Sequence, residues 1–90
     1  MKHKEKNKNR SPYAEHLNLI EDLLIAQANL AQQRKYDELL AGQKLLVEIW
    51  HDLLAQVYDL DALRVLRAAY EASEREQTEL AKLLKPNTLT

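Results

Sequence analysis

Apolar side chains recur every three or four residues along most of this chain, and this spacing constrains the fold more than any other feature. The clearest stripe lies in residues 36–57, where it follows alternating steps of three and four. Its members are Tyr36, Leu39, Gln43, Leu46, Trp50, Leu53 and Val57. Such spacing places side chains on one face of an α-helix. Because the chain has one Gly, two Pro and abundant Leu, Ala, Gln and Glu, which favour helices, it predicts an all-α fold.

A first helix is predicted to begin at Ser11 and Pro12, which suit the N-cap and the first helical position. It carries two adjacent apolar stripes, and together they are wider than one neighbouring helix needs. The first stripe is Leu17, Ile20, Leu24, Ala28 and Ala31, and the second is Leu19, Leu23, Ala26 and Leu30. No glycine marks the end of this helix. The cations of Arg34 and Lys35 nevertheless fit a helix C-terminus, so a break is predicted near Arg34–Tyr36.

A third helix-period stripe follows, rotated by one residue from a continuation of the second. Its members are Leu63, Leu66, Tyr70, Ser73, Gln77, Leu80 and Leu84. This phase jump of about 100° predicts a second break near Tyr58–Asp61, with Asp59 as N-cap. One long bent helix remains the alternative, because neither Gly nor Pro enforces the break. Lys85 and Pro86 end the third helix.

Two polar features interrupt these stripes. Gly42 falls inside the second helix, where we interpret it as a locally tolerated residue, and a close approach of another backbone is the alternative. Residues 73–78 of the third helix are polar throughout. We expect this stretch to project from the bundle or to pair its polar groups with a partner.

The chain is predicted to form one helical domain, residues 11–85, between a basic tail, residues 1–10, and a frayed tail, residues 86–90. The basic tail has five cations, one carboxylate and no apolar residue after Met1, so we expect it to be disordered. The remainder has a net charge of −5, which argues against a nucleic-acid surface. There is no Cys, no signal peptide and no apolar run near the ~20 residues of a membrane span. These absences favour a cytoplasmic protein that does not insert into membranes.

Nothing in the sequence indicates catalysis. It has no phosphate-binding glycine loop and no nucleophile elbow, and His3, His16 and His51 lie far apart. We therefore expect no enzyme activity, no metal and no cofactor, with the histidines solvated or at the edge of the core.

The apolar stripes instead favour protein binding. We predict a small three-helix antiparallel bundle, or helical hairpin, that self-associates as a homo-oligomer because its apolar arcs exceed its internal contacts. A trough between the second and third helices, centred on Trp50, is predicted to bind an apolar helix of a partner. Its residues are Leu46, Trp50, Leu53, Leu54, Val57, Leu63, Leu66 and Tyr70. Core packing is the other interpretation of these aromatics.

Residues 30–40, LAQQRKYDELL, followed by LLVEI at residues 45–49, resemble the FliT type of flagellar export chaperone. In that family a helix of small residues ends in a turn, an aromatic-Asp pair follows, and a leucine-rich helix comes next. The resemblance covers about residues 15–84. It implies a cytoplasmic helical bundle without enzyme activity that holds an amphipathic helix of the filament cap protein before export.

Two other classes stay open. One is a structural or assembly subunit, including a small chaperone of a virulence secretion system, which the sequence barely separates from a flagellar chaperone. The other is a regulatory helical-hairpin dimer that binds RNA, against which the acidic body of the chain argues.

Overall fold

The structure, a computed structural model, describes residues 13–85 and contains three helices. They are α1, Ala14–Gln32, α2, Tyr36–Ala55, and α3, Leu60–Leu84. Their 19, 20 and 25 residues leave only short turns between them, which confirms the all-α prediction. The predicted tails, and a helix start at Ser11 and Pro12, lie outside the described residues. Within the described part, α1 begins at Ala14 with Tyr13 as its N-cap.

The turn between α1 and α2 is closed by backbone hydrogen bonds. Arg34 has a φ of 58°, the left-handed conformation that usually belongs to glycine at a helix end. The Lys35 N–H donates to the Leu30 carbonyl at 3.0 Å, and the Arg34 N–H donates to the Ala31 carbonyl at 3.1 Å. This pair of bonds is a Schellman motif, which satisfies carbonyls at the end of α1. The break predicted near Arg34–Tyr36 is confirmed.

The second break is also confirmed, so α2 and α3 are separate helices rather than one bent helix. α2 ends at Ala55 and α3 begins at Leu60. Asp59 is the N-cap of α3, and its carboxylate accepts a hydrogen bond from the Asp61 N–H at 3.0 Å. A capping carboxylate at this position satisfies one of the unpaired N–H groups of the first turn.

Each helix runs antiparallel to the one before it, and α2 packs along both α1 and α3. His16, near the start of α1, contacts Asp52, near the end of α2, and Gln43 of α2 reaches Gln77 in the second half of α3. The buried apolar residues are Ile20, Leu39, Leu46, Trp50, Leu53 and Val57. All but Ile20 lie on α2 or directly after it, so α2 supplies most of the core. Self-association stays a prediction.

A cluster of glutamines crosses the bundle below this core. Gln27 of α1 is fully buried, and its amide nitrogen donates to the Leu39 carbonyl at 2.9 Å and to the Gln77 amide oxygen at 2.8 Å. The Gln43 amide nitrogen donates to the Gln77 carbonyl at 2.6 Å. Buried amides need such partners. The cluster therefore ties all three helices together at one level.

Gly42 is explained by this cluster. A Cβ atom there would overlap the amide oxygen of Gln27 and lie 2.6 Å from its Cδ. Our interpretation of Gly42 as locally tolerated is therefore wrong, and the close neighbour is a side chain rather than a backbone. Residues 73–78 do not project as a whole, because Ser73 and Gln77 are buried within the bundle. Gln77 pairs with Gln27 and Gln43 of the same chain, and the other four residues are exposed.

Candidate functional site

The predicted trough is assembled by the fold, but it lies inside the protein. Leu46, Trp50, Leu53 and Val57 are buried, and Ile20 of α1 joins their cluster. Leu63, Leu66 and Tyr70 of α3 pack against that cluster and are partly buried, as is Leu54. Its inner wall belongs to the core, and a cleft of about 100 Å³ between α2 and α3 reaches Leu46, Trp50 and Tyr70. A cleft of this size is too small for a helix about 10 Å across.

Only the rim of the trough reaches the surface, and Tyr70 is its centre. The Tyr70 ring lies 5.7 Å from that of Trp50 and 5.6 Å from that of His51, between centroids. Its hydroxyl donates to the Glu74 carboxylate at 3.3 Å. Burial, with the charge of Glu74 and this hydrogen bond, raises the pKa of the Tyr70 hydroxyl above its ordinary value. The rim is therefore a neutral aromatic beside acidic groups.

His16 and Asp52 form a pair that the sequence did not reveal. The His16 Nε2 atom lies 2.8 Å from the Asp52 carboxylate, although the residues are 36 positions apart. Gln56 approaches the same nitrogen at 3.5 Å. The side chain of Asp52 is 66% exposed. In the part of the chain that the structure describes, no group of three His, Cys, Asp or Glu residues could hold a metal ion. The pair links the start of α1 to the end of α2.

An apolar strip runs away from this pair along the outside of the α1–α2 groove. Leu23 follows His16 by seven residues and Leu45 precedes Asp52 by seven, and seven residues are two helical turns. The antiparallel pairing of His16 with Asp52 therefore places Leu23 level with Leu45 on the same side of the hairpin. We call this surface the open flank. It consists of Leu19, Leu23, Ala26 and Leu30 of α1 with Leu45 and Ile49 of α2.

The open flank exposes large apolar side chains to solvent. Leu19 is 55% exposed and Leu45 is 48% exposed. Leu23 and Ile49 are half-buried and pack against the core, and Leu30 is half-buried as well. The flank is thus continuous with the core and anchored by it. A contiguous apolar surface on a small protein commonly marks an interaction site.

A smaller apolar strip follows α3, on the second face that the sequence shows there. Val65, Ala69 and Ala72 are all exposed, and Glu76 interrupts the strip before Leu83. Two alanines and an interrupting carboxylate give little area to bury. The open flank is therefore the stronger candidate for a binding surface.

No protein-family model, curated protein or solved structure matches this chain. None of the helices in residues 13–85 is long and apolar enough to cross a membrane.

Proposed function

We propose that this protein is a cytoplasmic helical export chaperone that binds an amphipathic helix of a flagellar subunit, of the filament cap type, before secretion. The observation that carries the proposal is the open flank, a groove between two helices with Leu19 and Leu45 exposed in its walls. An amphipathic helix recognises such a groove by placing its apolar face into it. The FliT-like pattern of residues 30–49 supports the choice of client.

The client site proposed here differs from the trough expected from the sequence. Trp50 and Leu53 serve the core, and the small cleft at Trp50 would admit a helix only after displacement of the surrounding helices. The open flank needs no such displacement, because its side chains already face outward. Binding there adds a helix to a preformed hairpin and costs little reorganisation.

A photo-crosslinking experiment tests the proposal. A photoreactive amino acid replaces Leu45 in one variant and Ile25 in a control, and crosslinked products are identified by mass spectrometry in cells of the source organism. Ile25 is a matched control because it is 58% exposed but lies outside the open flank. We expect the Leu45 variant to crosslink to a helical segment of a secreted subunit, and the Ile25 variant not to.

Other products would contradict the proposal in distinguishable ways. Crosslinks from position 45 only to a second copy of this chain would favour an assembly subunit. Crosslinks to RNA would favour a regulatory hairpin. Equal labelling of one partner from both positions would show that the open flank is not the site.

A further inference from the structure

Net negative charge is concentrated on the two helices that form the open flank. α1 contains three carboxylates and neither Lys nor Arg, and α2 contains four carboxylates and Lys44. α3 balances five carboxylates with four cations. α1 and α2 together therefore have a net charge of −6, which Arg34 and Lys35 of the turn reduce to −4 for the whole hairpin, whereas α3 has −1. The hairpin is thus the more acidic part of the bundle.

Helical spacing places five of these carboxylates along the borders of the open flank. On α2, Glu38 and Asp52 lie two turns from Leu45 in either direction, and Glu48 lies three residues after it. On α1, Glu15 and Asp22 lie one turn before Leu19 and Ala26, respectively. All five side chains are exposed. The apolar strip thus has an acidic border on both sides.

The geometry points to a partner helix whose apolar stripe is bordered by Lys or Arg, and we propose that the open flank selects for this charge pattern. The inference rests on the proposed function, which it makes more specific. Basic borders would face the carboxylates of both helices, and complementary charge of this kind raises association rates and excludes wrong partners. Asp52 is already held by His16 at 2.8 Å, so this carboxylate needs little further ordering.

A second copy of the chain fits this surface less well. A symmetric dimer through the open flank would bring two acidic borders together, which costs free energy. The basic residues 2–10 of the chain itself include no apolar side chain, so they cannot fill the strip. A partner helix with both apolar and basic side chains complements the apolar strip and its acidic borders together.

Three synthetic peptides test the inference. Each is an 18-residue amphipathic helix with the same leucine stripe, bordered by Lys, by Gln or by Glu, and its affinity for the full chain is measured by fluorescence anisotropy. At 50 mM NaCl we expect the Lys-bordered peptide to bind at least ~10-fold more tightly than the Glu-bordered peptide. At 500 mM NaCl the difference should shrink to below ~3-fold, because salt screens exposed charges.

Matched variants locate the effect. E38Q together with E48Q removes two carboxylates from the border of the open flank, and E71Q together with E79Q removes two from α3. All four side chains are exposed, so both variants should keep their helicity. We expect the first variant to lose most of the preference for the Lys-bordered peptide and the second to retain it.

The outcomes separate this inference from the proposed function. If the three peptides bind equally and compete with the natural partner, the charge inference is overturned while the helix-binding function stands. If none binds at 1 mM although the Leu45 crosslink forms, the charge-selective helix is again overturned. If sedimentation shows a dimer that tightens as salt rises, the occupant is a second copy, because screening relieves repulsion between acidic borders.

Discussion

The two seams of this bundle are built from different chemistry. The seam between α1 and α2 contains buried Ile20 and Leu53 and ends in a turn closed by two backbone hydrogen bonds. α3, by contrast, contributes no buried apolar side chain among residues 13–85. Its two buried residues are Ser73 and Gln77. The leucines of its stripe are only half-buried, and Leu60 and Leu83 are exposed. The hairpin thus includes the buried Ile20 of α1, whereas α3 packs against the core with partly buried apolar side chains and adds the buried Ser73 and Gln77.

This difference indicates which part of the molecule is the stable platform. Burial of apolar area is the main favourable term in folding, whereas a hydrogen bond adds about 1 kcal/mol net. The hydrogen bonds of Gln77 therefore fix the position of α3 in the bundle more than they add to the free energy of unfolding. We expect α1 and α2 to open last when the protein unfolds locally, and the open flank belongs to that hairpin.

The largest expected effect on the free energy of unfolding comes from a Leu→Ala substitution made once in the hairpin and once in α3. Leu53→Ala removes a fully buried side chain and should lower the free energy of unfolding by about 3–5 kcal/mol. Leu66→Ala removes a half-buried side chain of α3 and should cost less than about 2 kcal/mol. Urea unfolding followed by circular dichroism measures both. Equal losses of unfolding free energy in the two variants would contradict the difference between the hairpin and α3. If Leu53→Ala is unfolded without urea, Leu66→Ala must remain folded.

An intermediate effect is expected where the glutamine cluster joins the seams. Gly42→Ala should cost about 1–3 kcal/mol, because overlap with Gln27 outweighs the ~1 kcal/mol gain in helix propensity. Gln27→Ala should cost a similar amount through lost hydrogen bonds. In the double variant the new alanine at 42 fills space that Gln27 vacates. A double-mutant cycle should therefore show that the double variant loses less unfolding free energy than the two single variants added together, by at least ~1 kcal/mol. Additive costs would show that the two positions are not coupled.

The smallest effect concerns the turn and should strengthen the hairpin. Arg34→Gly relieves a left-handed conformation and should raise the free energy of unfolding by about 1 kcal/mol. For a domain of this size that shift corresponds to about 4–8 °C in Tm. Lys35→Gly is the control, because Lys35 has a φ of −93° and gains nothing from glycine. A thermal scan in which both variants behave alike would argue against strain at Arg34.

Much of the fold could be predicted from the sequence, because periodicity is a local property. The cations of Arg34 and Lys35 predict the first break, and the phase jump with Asp59 predicts the second. The stripe of α3 was identified with its polar members included, and Ser73 and Gln77 are indeed buried. These features depend on residues close in the chain, where helical spacing alone decides the outcome.

The site was harder, because it depends on how distant residues meet. The apolar pattern does not include Gln27, although it lies seven residues after Ile20 and therefore on the same face. Its partner Gln77 is 50 residues away. The two stripes of α1 also left open which one faces inward. The structure turns Ile20 toward the core and leaves Leu19 exposed, so part of the second stripe lies at the surface, in the open flank.

The fit of Gln27 against Gly42 has a consequence for how this protein evolves. A side chain added at position 42 is accepted only if position 27 becomes shorter, so the two sites must change as a pair. Distant relatives that retain the architecture should therefore keep Gln, Gly, Gln and Gln at the relative spacings of positions 27, 42, 43 and 77, or should lose Gln27 and Gly42 together. Such a pattern of four positions can persist after overall sequence identity has become low. It can therefore identify homologues that a comparison of whole sequences does not detect.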